Sequence, residues 1–308
     1  MEALMQTSFL EAFREDCISR GMTSESIRRY ISCLRIFLKW LDERNVDVKG
    51  VDKFVLRDFL SYLRSKGLKQ KTLENYFSAI SSFYDFLLYE GVVKGNPVNP
   101  VRKRYLNPYK KNKSSEKRVL TVEEASLLVN SIPYIRDKAI VLLLLKTGIR
   151  RGELISIDVQ DINWEEQSIL LKPKAKRSNR VVFFDDETGR ILKKWMKVRE
   201  KLNPKTDALF VNERGERLRR NGVYGAVTKW ASMLGFHNPE SDNPMDHFTP
   251  HTCRHCFTMW LRKSGMRREF IKELRGDSRR EAIDIYDHID KDELRKAYLA
   301  HIPKLGVE

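Results

Sequence analysis

Two arginine blocks and a tyrosine hold the chemistry available to this sequence. Thr147-Gly148-Ile149-Arg150-Arg151-Gly152-Glu153-Leu154 is the first block, Pro250-His251-Thr252-Cys253-Arg254-His255 the second, and Tyr286 follows 32 residues after Arg254. Attack on a phosphodiester builds negative charge on the non-bridging oxygens, needs a nucleophile held in line, and expels a sugar alkoxide that must be protonated. Arginine suits the first task, because its rigid fork of N–H donors keeps its charge. A tyrosine hydroxyl suits the second: the phosphotyrosine it would form conserves the bond energy for rejoining, so the scheme requires no ATP, metal or other cofactor.

Each group also has an ordinary reading. Arg150 and Arg151 fit a surface helix start, with Glu153 close enough to buttress Arg150. His251 and Arg254 are three apart in a helix that Pro250 would open, so both project from one face of its first turn, where the positive helix end favours a phosphate. The same stretch offers His251, Cys253, His255 and Cys256 to a metal, but four ligands on about one and a half helical turns cannot converge on a tetrahedral ion. Lys172, Lys174, Lys176, Arg177 and Arg180 surround a turn between two β-rich runs. A lysine at such a tip can donate a proton to a leaving oxygen, and Lys174 is the first candidate, Lys176 the second. Tyr286, among apolar neighbours in Ile283-Asp284-Ile285-Tyr286, reads in isolation as a core residue with its hydroxyl at the surface.

Composition names the partner. Lys and Arg total 58 against 42 Asp and Glu, a net charge of +16, which favours a polyanion such as nucleic acid. By segment the balance is about +2 over residues 1–100, +7 over 101–120 and +7 over the rest. The four cysteines, Cys17, Cys33, Cys253 and Cys256, are too scattered for a disulfide framework, and no secretory leader precedes Ser8, so a reducing cytoplasm is the expected compartment. The longest purely apolar run, Ala139 to Leu145, is seven residues, against the roughly twenty that cross a bilayer, and a membrane function is set aside.

The elements that must position these groups fall into two domains. Residues 1–100 read as a helical bundle: Phe9, Phe13 and Cys17 share a face, a longer stripe runs from Ile27 to Leu41 behind Thr23 and Ser24, a third helix carries Phe54, Val55, Phe59, Leu60 and Leu63, and a fourth runs from Lys71 to Leu87. Gly95-Asn96-Pro97-Val98-Asn99-Pro100 should stop any helix. Residues 101–118 then read as a basic linker, whose Arg102, Lys103, Arg104, Lys110, Lys111 and Lys113 are placed to follow phosphates or simply to solvate a tether. Residues 119–308 open with the capping box Thr121-Val122-Glu123-Glu124, continue through a buried helix over Ile140 to Leu144, and form a small hairpin from Ser168–Lys172 and Arg180–Phe184. Further helices are expected at about 187–202, 221–234, 250–263, 267–274 and 292–301. The fold class is mainly α, with an α+β second domain.

Assembled in this order, the motifs resemble the tyrosine recombinase, or phage integrase, family. Thr147–Leu154 resembles its first arginine block, Pro250–His255 its His-x-x-Arg block, and Arg275-Gly276-Asp277-Ser278 with Ile285-Tyr286-Asp287-His288 its tyrosine block; the match spans roughly residues 119–301. The resemblance implies a SAM-like core-binding domain and a catalytic domain forming a C-shaped clamp on double-stranded DNA with a specific attachment site. It implies that Arg150 and Arg254 hold the scissile phosphate, that His251 assists proton transfer, that Lys174 protonates the leaving 5′ oxygen, that Glu153 supports, and that Tyr286 forms a 3′-phosphotyrosine. Lys176 and Arg177 would join the linker residues in contacting DNA. A homotetrameric synapse, from a monomer or dimer when free, is also implied, with the segment after Tyr286 docking on a neighbour or on its own domain. One position departs from the family: Asp277, nine residues before the tyrosine, stands where His or Trp is usual. A carboxylate cannot donate to a phosphate, but it can act as counterion to Arg150, His251 or Arg275, and the Arg-Gly-Asp variant resembles one seen in archaeal integrases. The implied function is an integrase of a virus or mobile element. The other readings are a Xer-like dimer resolvase, a transposase, a type IB topoisomerase, or a catalytically silent DNA-binding protein.

Overall fold

Glycines and capping side chains cut the N-terminal region into four helices: α1 (Glu2–Ser19), α2 (Ser24–Asp42), α3 (Lys53–Ser65) and α4 (Gln70–Tyr89). The computed structural model describes residues 2–106, 118–172, 180–277 and 289–307, with side chains from residue 8. Thr23 accepts the Ser26 N–H at the start of α2, and Asp52 accepts from Phe54 and Val55 at the start of α3, satisfying donors that a helix start leaves open. Inside lie Phe13, Phe37, Phe59, Phe77 and Phe83, all fully buried, each contributing roughly 1.5–3 kcal/mol of apolar burial. Phe54 instead faces solvent, with the Lys53 and Arg57 cations over its ring.

The helix stop expected at Gly95–Pro100 is not where the chain stops turning. Val98–Val101 forms a short helix, α5, and Arg102–Leu106 extends it by one wider turn. Pro100 sits in the first turn of α5, where an N–H has no partner to lose, so the proline costs little. Val98, Val101 and Leu106 are buried in the first unit's core, so residues 101–106, expected in the linker, belong to that core. The chain divides into two compact units, Met1–Ser114 and Ser115–Glu308.

In the second unit the helices are α6 (Val122–Ser131), α7 (Ile135–Thr147), α8 (Arg151–Leu154), α9 (Asp186–Lys201), α10 (Arg220–Met233), α11 (Pro250–Lys263), α12 (Arg268–Arg275) and α13 (Lys291–His301). The apolar run of α7 is buried on every side, packed by α9, α10 and α11, which is why it shows no amphipathic stripe. The Thr121–Glu124 capping box forms as expected. Strands β2 (Ser168–Leu171) and β3 (Arg180–Phe183) pair antiparallel with Ile169 opposite Val182, and a third short strand absent from the sequence reading, β1 (Ile162–Asn163), adds to β2. A smaller core of Phe183, Phe257, Leu261, Phe270, Leu274 and Tyr298 joins β3 to α11, α12 and α13.

The segment after α13 packs on its own unit. Leu305 and Val307 are buried, and the Glu187 carboxylate accepts the backbone N–H groups of Leu305, Gly306 and Val307 at 2.9, 2.7 and 3.2 Å. Lys146, wholly buried at the end of α7, ties the same region together: its ammonium meets Asp185 at 2.5 Å, Glu187 at 2.7 Å and the Pro303 carbonyl at 2.6 Å. Among the described residues no helix is long and apolar enough to cross a membrane.

Candidate active site

Arg150 owes its place to the way α7 ends. Gly148 caps that helix with φ +60°, and a Cβ there would lie 2.3 Å from the Phe257 ring on α11, so conformation and packing both require glycine. The chain then turns straight into α8 with Arg150 as its N-cap residue. Glu153, in the first turn, accepts the Arg150 backbone N–H at 2.7 Å and its Nη1 at 3.2 Å. Sequence reasoning placed Glu153 as a support for Arg150, and the structure puts the two in contact on both backbone and side chain.

Arg254 reaches the same point from α11, which begins at Pro250 behind the N-cap Thr249. It is buried, donating Nη1 to the Gly148 carbonyl at 2.7 Å and Nη2 to the Arg275 carbonyl at 2.8 Å. Arg150 Nη1 donates to that same carbonyl at 3.2 Å. The C-terminal end of α12, carrying the negative pole of its backbone dipoles, thus receives both arginines. Burial, with the neighbouring Arg150 and Arg275 cations, pushes the Arg254 guanidinium down to about 9, while Asp277 and Glu153 oppose the shift; it remains charged at neutral pH.

Asp277 follows the α12 cap Gly276 and lies between the arginines. Its Oδ1 is 3.0 Å from Arg254 Nη2 and 3.6 Å from Arg150 Nη2, and its Oδ2 is 3.1 Å from Arg275 Nε. Two of the counterion partners considered from sequence, Arg150 and Arg275, are here, and Arg254 is added. His251 is exposed on the next face of α11, its Nε2 3.2 Å from Nε2 of His255, so one ring donates and the other accepts. Cys253 and Cys256 turn the opposite way into the core, with the Leu120 N–H donating to Cys256 Sγ, so the four possible metal ligands of this stretch do not converge. A cavity of about 410 Å³ opens over Arg150, His251 and Arg254, and Arg220 and Tyr224 of α10 line its far side.

Three residues that sequence reasoning passed over complete the arrangement. Arg220 carried a faint signal in the Arg219-Arg220 pair that starts α10, and Tyr224 one turn on carried none. Arg180 looked like one more cation beside a hairpin turn, yet it is buried and grips Glu153 with both nitrogens, Nη1–Oε1 2.9 Å and Nη2–Oε2 3.0 Å. Burial alone would raise the Glu153 carboxyl, but these bonds and those from Arg150 outweigh it and bring it to about 2. Lys172, also in the hairpin group, is held by Asp158 and, at 3.2 Å, by Asp161; the Asp158 hydrogen bond raises its ammonium above the ordinary lysine range. Arg102 is half-buried, donating to Ser78 Oγ at 3.2 Å, while Lys103 and Arg104 are exposed. Lys110, Lys111, Lys113, Lys174, Lys176, Arg177 and Tyr286 lie outside the described residues.

Residues 118–293 match the model of the phage integrase family, and residues 10–91 match the phage integrase N-terminal SAM-like domain. The tyrosine recombinase XerC of Thermodesulfovibrio yellowstonii is 29% identical over 303 residues, covering 95% of this chain and 94% of its own. The XerC of Haemophilus influenzae strain PittEE is 28% identical over 285 residues, covering 91% and 92%. Among solved structures, the Tn1549 transposon integrase in complex with a circular intermediate DNA superposes with a TM-score of 0.70 at 17% identity, over 94% of this chain and 97% of that one. The XerH site-specific recombinase bound to a palindromic difH substrate gives a TM-score of 0.69 at 21% identity, over 90% and 80%. At such identities the structural likeness speaks to the fold.

Proposed function

The chain belongs to the phage integrase family, and from that premise we propose that it is a site-specific DNA recombinase that cuts through Tyr286. The family is one of DNA cleaving and rejoining enzymes. The observation that carries the reading is the convergence of Arg150 and Arg254 on one carboxylate beside an open cavity, which is the geometry a phosphate would take up.

In the proposed reaction the scissile phosphate enters between Arg254 and Arg150, whose N–H donors meet its non-bridging oxygens as negative charge builds. The Tyr286 oxygen bonds to phosphorus, the phosphorus–5′ oxygen bond breaks, and the electron pair leaves on the 5′ oxygen. His251 assists removal of the phenol proton, and Lys174 supplies a proton to the 5′ oxygen. The product is a 3′-phosphotyrosine and a free 5′ hydroxyl. Attack by a second 5′ hydroxyl reverses the step and frees the tyrosine. Resealing between two paired duplexes calls for more than one copy, and a homotetramer on two sites is the proposed assembly.

The end-to-end match with XerC relatives favours a recombinase of Xer type, resolving joined replicons, over an integrase of a virus or mobile element. The archaeal-type assignment rests on the Arg275-Gly276-Asp277 variant alone. The test is covalent capture. Incubating the protein with sheared host DNA and denaturing it should trap protein-linked fragments, whose ends give the site, and Tyr286→Phe should trap none. No adduct from wild type would favour a silent DNA-binding protein. Two copies of the recovered site on one plasmid should then be excised or inverted, whereas simple relaxation of supercoils would favour a topoisomerase.

A further inference from the structure

Arg180 is too deeply buried to meet DNA, yet it touches Glu153 and the last turn of α12, which both hold clamp arginines. Its Nη1 and Nη2 close a two-bond fork on Glu153, and its Nε donates to the Leu274 carbonyl at 3.1 Å. Two routes lead from these contacts to the arginines that face the cavity. Through Glu153 the fork fixes the acid that takes both the backbone N–H and Nη1 of Arg150. Through Leu274 it fixes the last turn of α12, whose next carbonyl, that of Arg275, receives Arg150 and Arg254 together.

The C-cap of α12 is built against the same guanidinium. Gly276 has φ +58°, and a Cβ there would lie 2.6 Å from Arg180 Nη1 and 2.8 Å from its Cζ. The backbone that delivers Asp277 therefore lies directly on Arg180. A lysine at this position keeps the charge but cannot bond two carboxylate oxygens and a carbonyl in one plane.

We propose that Arg180 is a positioning residue for the scissile-phosphate clamp, setting Arg150 through Glu153 and setting both clamp arginines through the Leu274–Arg275 carbonyls. This rests on the recombinase reading given above. A salt bridge that merely anchors β3 would affect stability and every substrate alike. A positioning residue acts where charge must be stabilised, and a small misplacement of such groups costs about 100-fold in rate.

The experiment compares single-turnover cleavage of two nicked duplexes carrying the site recovered by covalent capture. One has the natural scissile phosphate, and the other a neutral methylphosphonate, which makes less demand on the arginines. For Arg180→Lys, duplex affinity should stay within about twofold of wild type while cleavage of the phosphate duplex falls about 100-fold. On the methylphosphonate duplex the deficit should shrink at least tenfold. Should Arg180→Lys fold poorly, Gly276→Ala serves as an independent perturbation, since it pushes on the guanidinium without deleting its charge, and it should show the same substrate dependence. Equal deficits on the two duplexes, or a wild-type rate in both variants, would overturn the positioning role. A wild type that forms no adduct overturns the recombinase reading and this one with it.

Discussion

Replacing Asp277 by asparagine removes one charge and almost no volume from the centre of the clamp. Among the described residues four guanidiniums, Arg150, Arg180, Arg254 and Arg275, share two carboxylates, Glu153 and Asp277, so the substitution raises the balance of these groups from +2 to +3. Asp277 contacts three of the cations at 3.0, 3.6 and 3.1 Å, but its side chain is 31% exposed. A hydrogen bond to a charged group contributes about 1.5–3 kcal/mol, and that exposure argues for the lower part of the range, about 1.5–2 kcal/mol lost in chloride. Inorganic sulfate entering the wild-type site must displace the carboxylate, so its affinity should be roughly ten- to thirtyfold weaker than in Asp277→Asn. At a sulfate concentration of about 100 times the variant's Kd, the variant gains about 2.7 kcal/mol and the wild type about 1 kcal/mol. The assay is urea unfolding of both proteins in sodium sulfate and in sodium chloride of equal ionic strength. Sulfate also stabilises proteins by exclusion from their surfaces, so the difference between the proteins is the readout. Adding Arg150→Ala to the variant should abolish the extra gain. Equal sulfate gains in the two proteins, or a variant as stable as wild type in chloride, would refute Asp277 as occupant of the phosphate seat.

Glu153 predicts an acid limb of stability. Its carboxyl is brought from the ordinary 4.5 to about 2 in the folded chain, so its contribution is present above 4.5 and is lost as pH falls towards 2. Full loss amounts to about 3 kcal/mol, and Glu153→Gln should be destabilised at neutral pH and lose less between pH 5 and 2 by acid titration of urea midpoints. Lys146→Ala leaves Asp185 and Glu187 buried without their cation and should cost about 3–5 kcal/mol by equilibrium unfolding, where a loss under about 1 kcal/mol would contradict the buried ion pairs.

Elements whose signals are local were legible in the sequence: the Thr121–Glu124 box, the Pro250 helix start, the seven-residue apolar run and the β2–β3 hairpin. The arginine blocks were legible as blocks too, because each sits at a helix boundary marked by glycine or proline. Less visible were side chains whose partners lie far along the chain. Lys146 meets acids 39 and 41 residues on, and Arg180 meets Glu153 across 27 residues, so neither leaves any periodicity or motif to read. Composition also misled at Arg102–Leu106. The preceding prolines, Pro97 and Pro100, and the charges of this stretch suggested a tether, but Val98, Val101 and Leu106 supply enough apolar surface to seat a helical turn on the bundle.

The two carboxylates of the site differ in what a phosphate could do to them. Glu153, with a side chain 5% exposed, is held by Arg180 on both oxygens and by Arg150 on backbone and side chain. Its removal would leave Arg180 buried and unpaired, a cost on the order of 3–5 kcal/mol that an incoming phosphate on the other side of Arg150 does nothing to repay. Asp277 has a side chain 31% exposed and meets Arg150 and Arg254, both of which line the cavity. A carboxylate leaving that position is rehydrated, and its cations pass to another anion without ever being left bare. An acid at this position therefore lowers the positive charge of the clamp before DNA arrives, whereas a neutral donor there would leave Arg150, Arg254 and Arg275 without the carboxylate they share. We predict that phosphate entry in this protein is an exchange of anions and that the wild-type chain cleaves a suicide DNA substrate with no donor from position 277; cleavage by an Asp277→His variant alone would refute this.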